Sequence, residues 1–148
     1  MRLASLGSLV AETSMKLAAS IVMWLVAAFY AYGALVHVLN MLGLSGFDWR
    51  SAPLKWQVLD VSYLLIDLLV VVGLLLRWRF GFVALYVAAL SQILLYTVLR
   101  EWIIDVPPEF AVSEEQRRYL TSLMIFHCLT LGLVSAALWY QSKTSHTL

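Results

Sequence analysis

Charge is what this chain has least of. Only 13% of its 148 residues are Asp, Glu, Lys or Arg, where a soluble domain carries about a quarter. That is too little polar surface to solvate a compact globule, so lipid must cover much of the outside. Cysteine is nearly absent as well. Cys128 stands alone, which excludes an intramolecular disulfide and any CxxC redox or metal-binding pair. The basic residues are few and scattered and the net charge is +1, so nothing forms a nucleic-acid footprint. No nucleophile elbow, phosphate-binding loop or HExxH motif occurs. Catalytic residues and a metal site are therefore not expected, and the chain reads as a non-enzyme.

What the chain has in quantity is apolar length. Hydrophobic residues make up 62% of it, and the mean hydropathy is +0.85. A helical span needs roughly 17–25 mostly apolar residues to cross a hydrocarbon core of roughly 30 Å. Four segments meet that requirement: residues 17–42, 54–76, 80–99 and 119–141. Backbone groups in lipid must be paired within the segment, which favours helices, and the alternation of barrel strands is missing. The expected fold is an all-α integral membrane four-helix bundle over residues 17–141. An amphipathic N-terminal tail (1–16) precedes it and a short C-terminal tail (142–148) follows.

The connections fit that count. Gly43 and Gly46 close the first helix, and Pro53 precedes the second. Arg77-Trp78-Arg79 is so short that the second and third helices must form an antiparallel hairpin. Pro107-Pro108 breaks the third connection, and Ser113 with Gln116 reads as a capping box. Tryptophans prefer the interfaces: Trp49, Trp56 and Trp102 fall on the loop side, Trp78 and Trp139 on the side of the termini. Lys and Arg split five against five between the two sides. The Arg77-Trp78-Arg79 turn favours termini in the cytoplasm.

Ionisable groups at membrane depth cost at least ~2.5–3.5 kcal/mol, so they face the interior and mark candidate sites. Asp60 and Asp67 lie seven residues apart, on one helical face. Counted from the terminal side at ~1.5 Å per residue, Asp67 lies roughly 14 Å deep, Gln92 about 18 Å, Tyr30 about 20 Å and His127 about 21 Å. Each helix thus supplies one polar side chain near the midplane. Asp67, Gln92, His127 and Tyr30 are the expected binding centre, with His127 as the partner that eases the burial of Asp67. Asp60, His37 and Tyr96 form an expected second layer nearer the loops. His37, at about 31 Å, and His127 lie at different depths, so the two histidines are not expected to share one haem iron. The acids and arginines of the segment 100–118 follow no calcium-loop spacing and read as a solvated cap.

Small residues line several helix faces: Ala27, Ala28, Ala31, Gly33 and Ala34 in the first span, Ala84, Ala88 and Ala89 in the third. Gly132, Ser135 and Ala136 repeat the pattern in the fourth. Such faces let helices approach closely, within the bundle or against another membrane subunit. The stretches AFYAYGALVHVLNMLGL and DLLVVVGLLLRWRFG resemble the DoxX-like small four-helix membrane proteins, over about Phe29 to Leu99. The resemblance implies a small membrane subunit, in one case associated with quinone-linked sulfur oxidation. It carries over no catalytic residue, and the missing cysteine pair argues against thiol-redox chemistry. The expected function is a non-enzymatic accessory subunit of a larger membrane assembly, or of a self-associated one. A binder or transporter of a proton or small amphiphile centred on Asp67 is the first alternative. A quinone- or haem-linked redox component is the second, although no cofactor is expected.

Overall fold

The computed structural model describes residues 2–145, with side chains described for 13–140 and for Ser142. In order, the elements are α1 (Arg2–Met41), α2 (Leu54–Leu75), α3 (Arg79–Tyr96), the short α4 (Arg100–Ile104), a 3-10 turn (Pro108–Phe110) and α5 (Glu114–Ser145). Four of them, α1, α2, α3 and α5, are long and apolar enough to cross a membrane. The chain is an all-α, multi-pass membrane bundle, as its hydropathy predicts.

Three boundaries depart from expectation, one of them at α5, which continues to Ser145 into the stretch read as the C-terminal tail. α1 begins at Arg2, so the stretch read as a separate tail continues the first span as a single helix of 40 residues. No proline interrupts residues 1–16, and the hydrogen-bond ladder has no reason to stop there. α3 ends at Tyr96, three residues early. The Thr97 hydroxyl donates to the Ile93 carbonyl at 2.6 Å, a local bond that competes with continuation of the helix.

The ends of the spans are built by local chemistry. α1 closes with Gly43 at φ +70°; Gly43 N–H donates to the Asn40 carbonyl and Leu44 N–H to that of Leu39, both at 2.9 Å. These paired bonds satisfy terminal carbonyls that the helix itself leaves open. α2 ends in the same motif, with Trp78 N–H on the Gly73 carbonyl at 2.8 Å and Arg77 N–H on that of Leu74 at 3.1 Å. Arg77 holds the left-handed position at φ +54°. At the start of α5 the capping box forms in both directions: Ser113 N–H donates to Gln116 Oε1 at 2.8 Å, and Gln116 N–H to Ser113 Oγ at 3.2 Å.

Around the bundle α1 packs on α2, α2 on α3 and α3 on α5, and α5 returns to α1 through the slimmest of these seams. Each buried face follows alternating steps of three and four, the spacing of interlocking helices. On α2 it comprises Tyr63, Asp67, Val70 and Leu74; on α3 it comprises Gly81, Leu85, Ala88, Gln92 and Leu95. On α5 it is His127, Thr130 and Val134, and on α1 Ala27, Tyr30 and Ala34, with His37 next in step. Polar residues therefore occupy core positions in all four spans, which is why they meet one another and not lipid. The apolar core lies below them, toward the termini, around Val70, Leu74, Leu85 and Val134.

At the loop end α4 is fastened to the first turn of α2. Trp56 Nε1 donates to the Ile103 carbonyl at 2.8 Å. Lys55 Nζ donates to the Trp102 carbonyl at 2.5 Å and also to that of Asp105. The open carbonyls at the end of α4 are thus satisfied by two neighbouring side chains of α2.

Candidate functional site

The polar core divides into two groups. The lower one joins three helices: Tyr30 of α1, His127 of α5 and Gln92 of α3. Gln92 Oε1 can only accept, so His127 donates to it from Nε2, at 2.6 Å. Nδ1 is then the acceptor for the Tyr30 hydroxyl, at 3.3 Å. Tyr30 and His127 are each 1% exposed. Phe29 and Phe126 stack on each other with centroids 3.7 Å apart, and both stand edge-on to the imidazole. Both ring nitrogens are occupied, so the imidazole is fully paired among buried and aromatic neighbours. It fits a role in fixing helix positions.

The upper group is not completed. His37 of α1 stands between two carboxylates of α2. Its Nδ1 pairs with Asp60 Oδ1, and its Nε2 lies 3.7 Å from Asp67 Oδ2. Asn40 Nδ2 donates to the same Asp60 oxygen at 3.5 Å. The Tyr63 ring lies within 15° of parallel to the imidazole, and its hydroxyl donates to Ser91 Oγ of α3 at 3.2 Å. One oxygen on each acid, Asp60 Oδ2 and Asp67 Oδ1, is buried with no hydrogen-bond partner. Two carboxylates around one imidazole carry an excess negative charge whether the ring is neutral or charged. Burial makes such an excess expensive, and a proton or a cation offsets it.

This group opens into a cleft of about 320 Å³ on the loop side. His37 and Asp60 form its polar floor, and Tyr63, Tyr96 and Leu95 form walls. Its far wall is the start of α5, at Tyr119 and Leu120. Phe47, Trp56 and Phe110 sit together over the loop end, with ring centroids 6.0 to 6.4 Å apart. The volume is within the usual range for small-molecule sites, roughly 300–1,000 Å³, and so is the combination of apolar walls with a few convergent polar groups.

The expected centre of Asp67, Gln92, His127 and Tyr30 is therefore corrected. Tyr30, His127 and Gln92 do meet, but Asp67 lies with His37 and Asp60, and its imidazole partner is His37 in place of His127. Depth counted from the end of each span misplaced His37, because Leu17 and Leu76 do not lie at one level: α1 continues past Leu17 to Arg2, and Ser20 and Met23 line one crevice with Leu74 and Arg77. α1 and α2 are antiparallel, so His37 leans toward the termini while Asp67 leans toward the loops, which takes up a few ångströms more. Tyr96 lines the cleft, as its place in the second layer implies. Asn40, Tyr63 and Gly33 were missed. Gly33 and His37 lie four apart on one face of α1, a spacing that signals a niche beneath an imidazole. Gln57, three residues before Asp60 on α2, donates to the Ala52 carbonyl at 2.8 Å.

Neither His37 nor His127 offers a nitrogen to a haem iron, since His127 is held at both nitrogens and His37 faces a carboxylate on each side. Among the described residues no three His, Cys, Asp or Glu side chains are grouped so as to hold a metal ion. The chain matches no protein-family model, no curated protein and no solved structure.

Proposed function

We propose that the chain binds a small, positively charged amphiphile in the loop-side cleft, with Asp60 as the counter-charge and Asp67 linked to it through His37. The observation that carries this reading is the pair of buried carboxylate oxygens without a donor, set behind the floor of an aromatic-walled cleft. An ammonium group supplies the missing donors, and its hydrocarbon part packs on Tyr63, Tyr96 and Leu95. A cation that pairs with Asp60 repels a proton held by the same cluster of Asp60, His37 and Asp67, so ligand binding and proton release are coupled. With the termini in the cytoplasm, the cleft faces the external leaflet.

Dodecylammonium binding to the purified protein in nanodiscs, followed by calorimetry, tests this reading. Asp60→Asn and Asp67→Asn should each weaken binding by about tenfold or more, the scale of losing one buried charge partner. Neutral dodecanol should not compete. Equal affinity in wild type and both variants would sink the proposal.

A second reading, as a subunit of a larger assembly, has its own support. Cys128, Gly132 and Ala136 recur every four residues on α5 and are all exposed, and a side chain added at Gly132 would meet nothing within 4 Å. Such a small-residue face suits close packing of another membrane helix. Mild oxidation in native membranes should link Cys128 to a cysteine of that partner helix or of a second copy. A Cys128 that stays unlinked in a protein that also extracts as a monomer would count against it.

A further inference from the structure

The loop-side cleft is lined by five aromatic residues, Phe47, Trp56, Tyr63, Tyr96 and Tyr119, and Asp60 is the one acid among the described residues that line it. Trp56 and Tyr63 stand four residues before and three after Asp60 on α2, so a ring lies one turn to either side of the carboxylate. The polar tips of both rings are turned to other partners. Trp56 Nε1 donates to the Ile103 carbonyl at 2.8 Å, and the Tyr63 hydroxyl to Ser91 Oγ at 3.2 Å. What these two residues offer the cleft is therefore ring surface rather than a donor. Tyr63 is also fixed in orientation, since it stacks on the imidazole of His37 with centroids 6.4 Å apart. The carboxylate has little acceptor capacity left. Asp60 Oδ1 is already engaged by His37 Nδ1 and Asn40 Nδ2, and Oδ2 is its one unused oxygen. Gln116 Oε1, on the far wall, is taken by the Ser113 N–H.

We infer that the head group this cleft takes is an N-methylated ammonium that keeps a single N–H, with that N–H donating to Asp60 and the methyl groups against the rings of Trp56 and Tyr63. The inference rests on the reading of the cleft as a cation site and adds the class of cation. A primary ammonium carries three N–H donors, which water satisfies in full and this cleft, with one unused carboxylate oxygen, satisfies only in part. Each donor left over costs free energy on entry. Methyl groups spread the same charge over a larger, weakly hydrated surface, which the negative faces of aromatic rings attract. A quaternary head has no N–H at all and leaves the unused oxygen of Asp60 without a donor.

Calorimetry at neutral pH in zwitterionic nanodiscs, with empty nanodiscs as the blank, ranks dodecylamine, N,N-dimethyldodecylamine and dodecyltrimethylammonium. The dimethyl form should bind about threefold or more tighter than the primary amine, the scale of ring contacts with a partly desolvated cation. The trimethyl form should bind about tenfold weaker than the dimethyl form, because it lacks the hydrogen bond to a carboxylate. Tyr63→Phe keeps the ring and should keep this order, whereas Tyr63→Leu should shrink the gap between the dimethyl and primary amines. A primary amine that binds wild type as tightly as the dimethyl form would overturn the inference. So would a trimethyl form that matches the dimethyl one, or a folded Tyr63→Leu with the gap intact. The wild-type order decides by itself should Tyr63→Leu fail to fold, which circular dichroism reads. Asp60→Asn separates this selectivity from cation binding itself: if it weakens all three ligands while methylation leaves wild-type affinity unchanged, the cation site stands and the selectivity falls. If none of the three binds wild type, both fall.

Discussion

The carboxylate of Asp67 occupies the space that a side chain at residue 33 would need. A Cβ built on Gly33 would stand 2.6 Å from Asp67 Oδ2, closer than any two such atoms approach without a shift. The glycine is there to admit the acid between α1 and α2, beneath His37. Gly33→Ala should push Asp67 away from the imidazole and destabilise the bundle by about 1–3 kcal/mol, the usual scale of overpacking. Unfolding in mixed micelles would measure the loss. Gly33→Ala combined with Asp67→Gly should recover most of it, and a double variant no more stable than the single one would show that the niche is not the cause.

The hairpin of α2 and α3 depends on a second close approach. A Cβ at Gly81 would fall 2.5 Å from Gly73 Cα, and backbone cannot move aside as a flexible side chain can. Gly81→Leu should separate the two helices and cost at least about 2–3 kcal/mol. The same change at Gly132, where space is open, should cost little. Thermal unfolding of the two variants side by side provides the comparison.

The Tyr30–His127–Gln92 network predicts a non-additive pair. His127→Leu leaves the Gln92 oxygen and the Tyr30 hydroxyl buried without partners and should cost about 1–3 kcal/mol. Adding Gln92→Leu removes one of those orphans, so the double variant should be less destabilised than the sum of the single ones. Strict additivity in a double-mutant cycle would contradict the hydrogen bonds described.

Much of this fold is legible in the residues. Hydropathy locates four spans, Ser113 and Gln116 announce the start of α5, and the shortness of Arg77-Trp78-Arg79 forces the hairpin. Equal depth also brings Tyr30, Gln92 and His127 together, because their helices present them at one level and on the inner face. The pairing of His37 with Asp67 was not legible from depth. It depends on how far α1 and α2 are offset along their axes, on the direction in which two side chains lean and on the room left by Gly33, and none of these enters a count of residues along an axis. The division of small residues is likewise a matter of helix rotation: Ala27, Ala34, Ala88 and Ala89 turn inward, while Ala28, Ala31, Gly132 and Ala136 turn outward.

One prediction concerns pH outside the bilayer. In the exposed loop between α1 and α2, Ser51 Oγ donates to Asp48 Oδ2 at 2.6 Å. That bond holds the Asp48 carboxyl below its usual range, helped by nearby backbone N–H groups and Arg50. A depressed carboxyl stabilises this turn above its unfolded pKa and ceases to do so as pH falls through the folded value. Ser51→Ala should move the Asp48 titration upward toward the ordinary aspartate range, as read by carboxyl NMR. An unchanged midpoint would show that the hydroxyl is not the cause.

The fastening of α4 to Lys55 and Trp56 bears on how anything reaches the cleft. Trp56 over the cleft and Asp60 in its floor stand on the same helix, so α4 and the acid move together. The wall with the least holding it is the seam between α1 and α5, which faces the bilayer. A ligand passing there arrives sideways, already dissolved in the membrane. Its rate of capture then follows its concentration in lipid, which is the aqueous concentration multiplied by the partition coefficient, and chain length becomes a handle on kinetics.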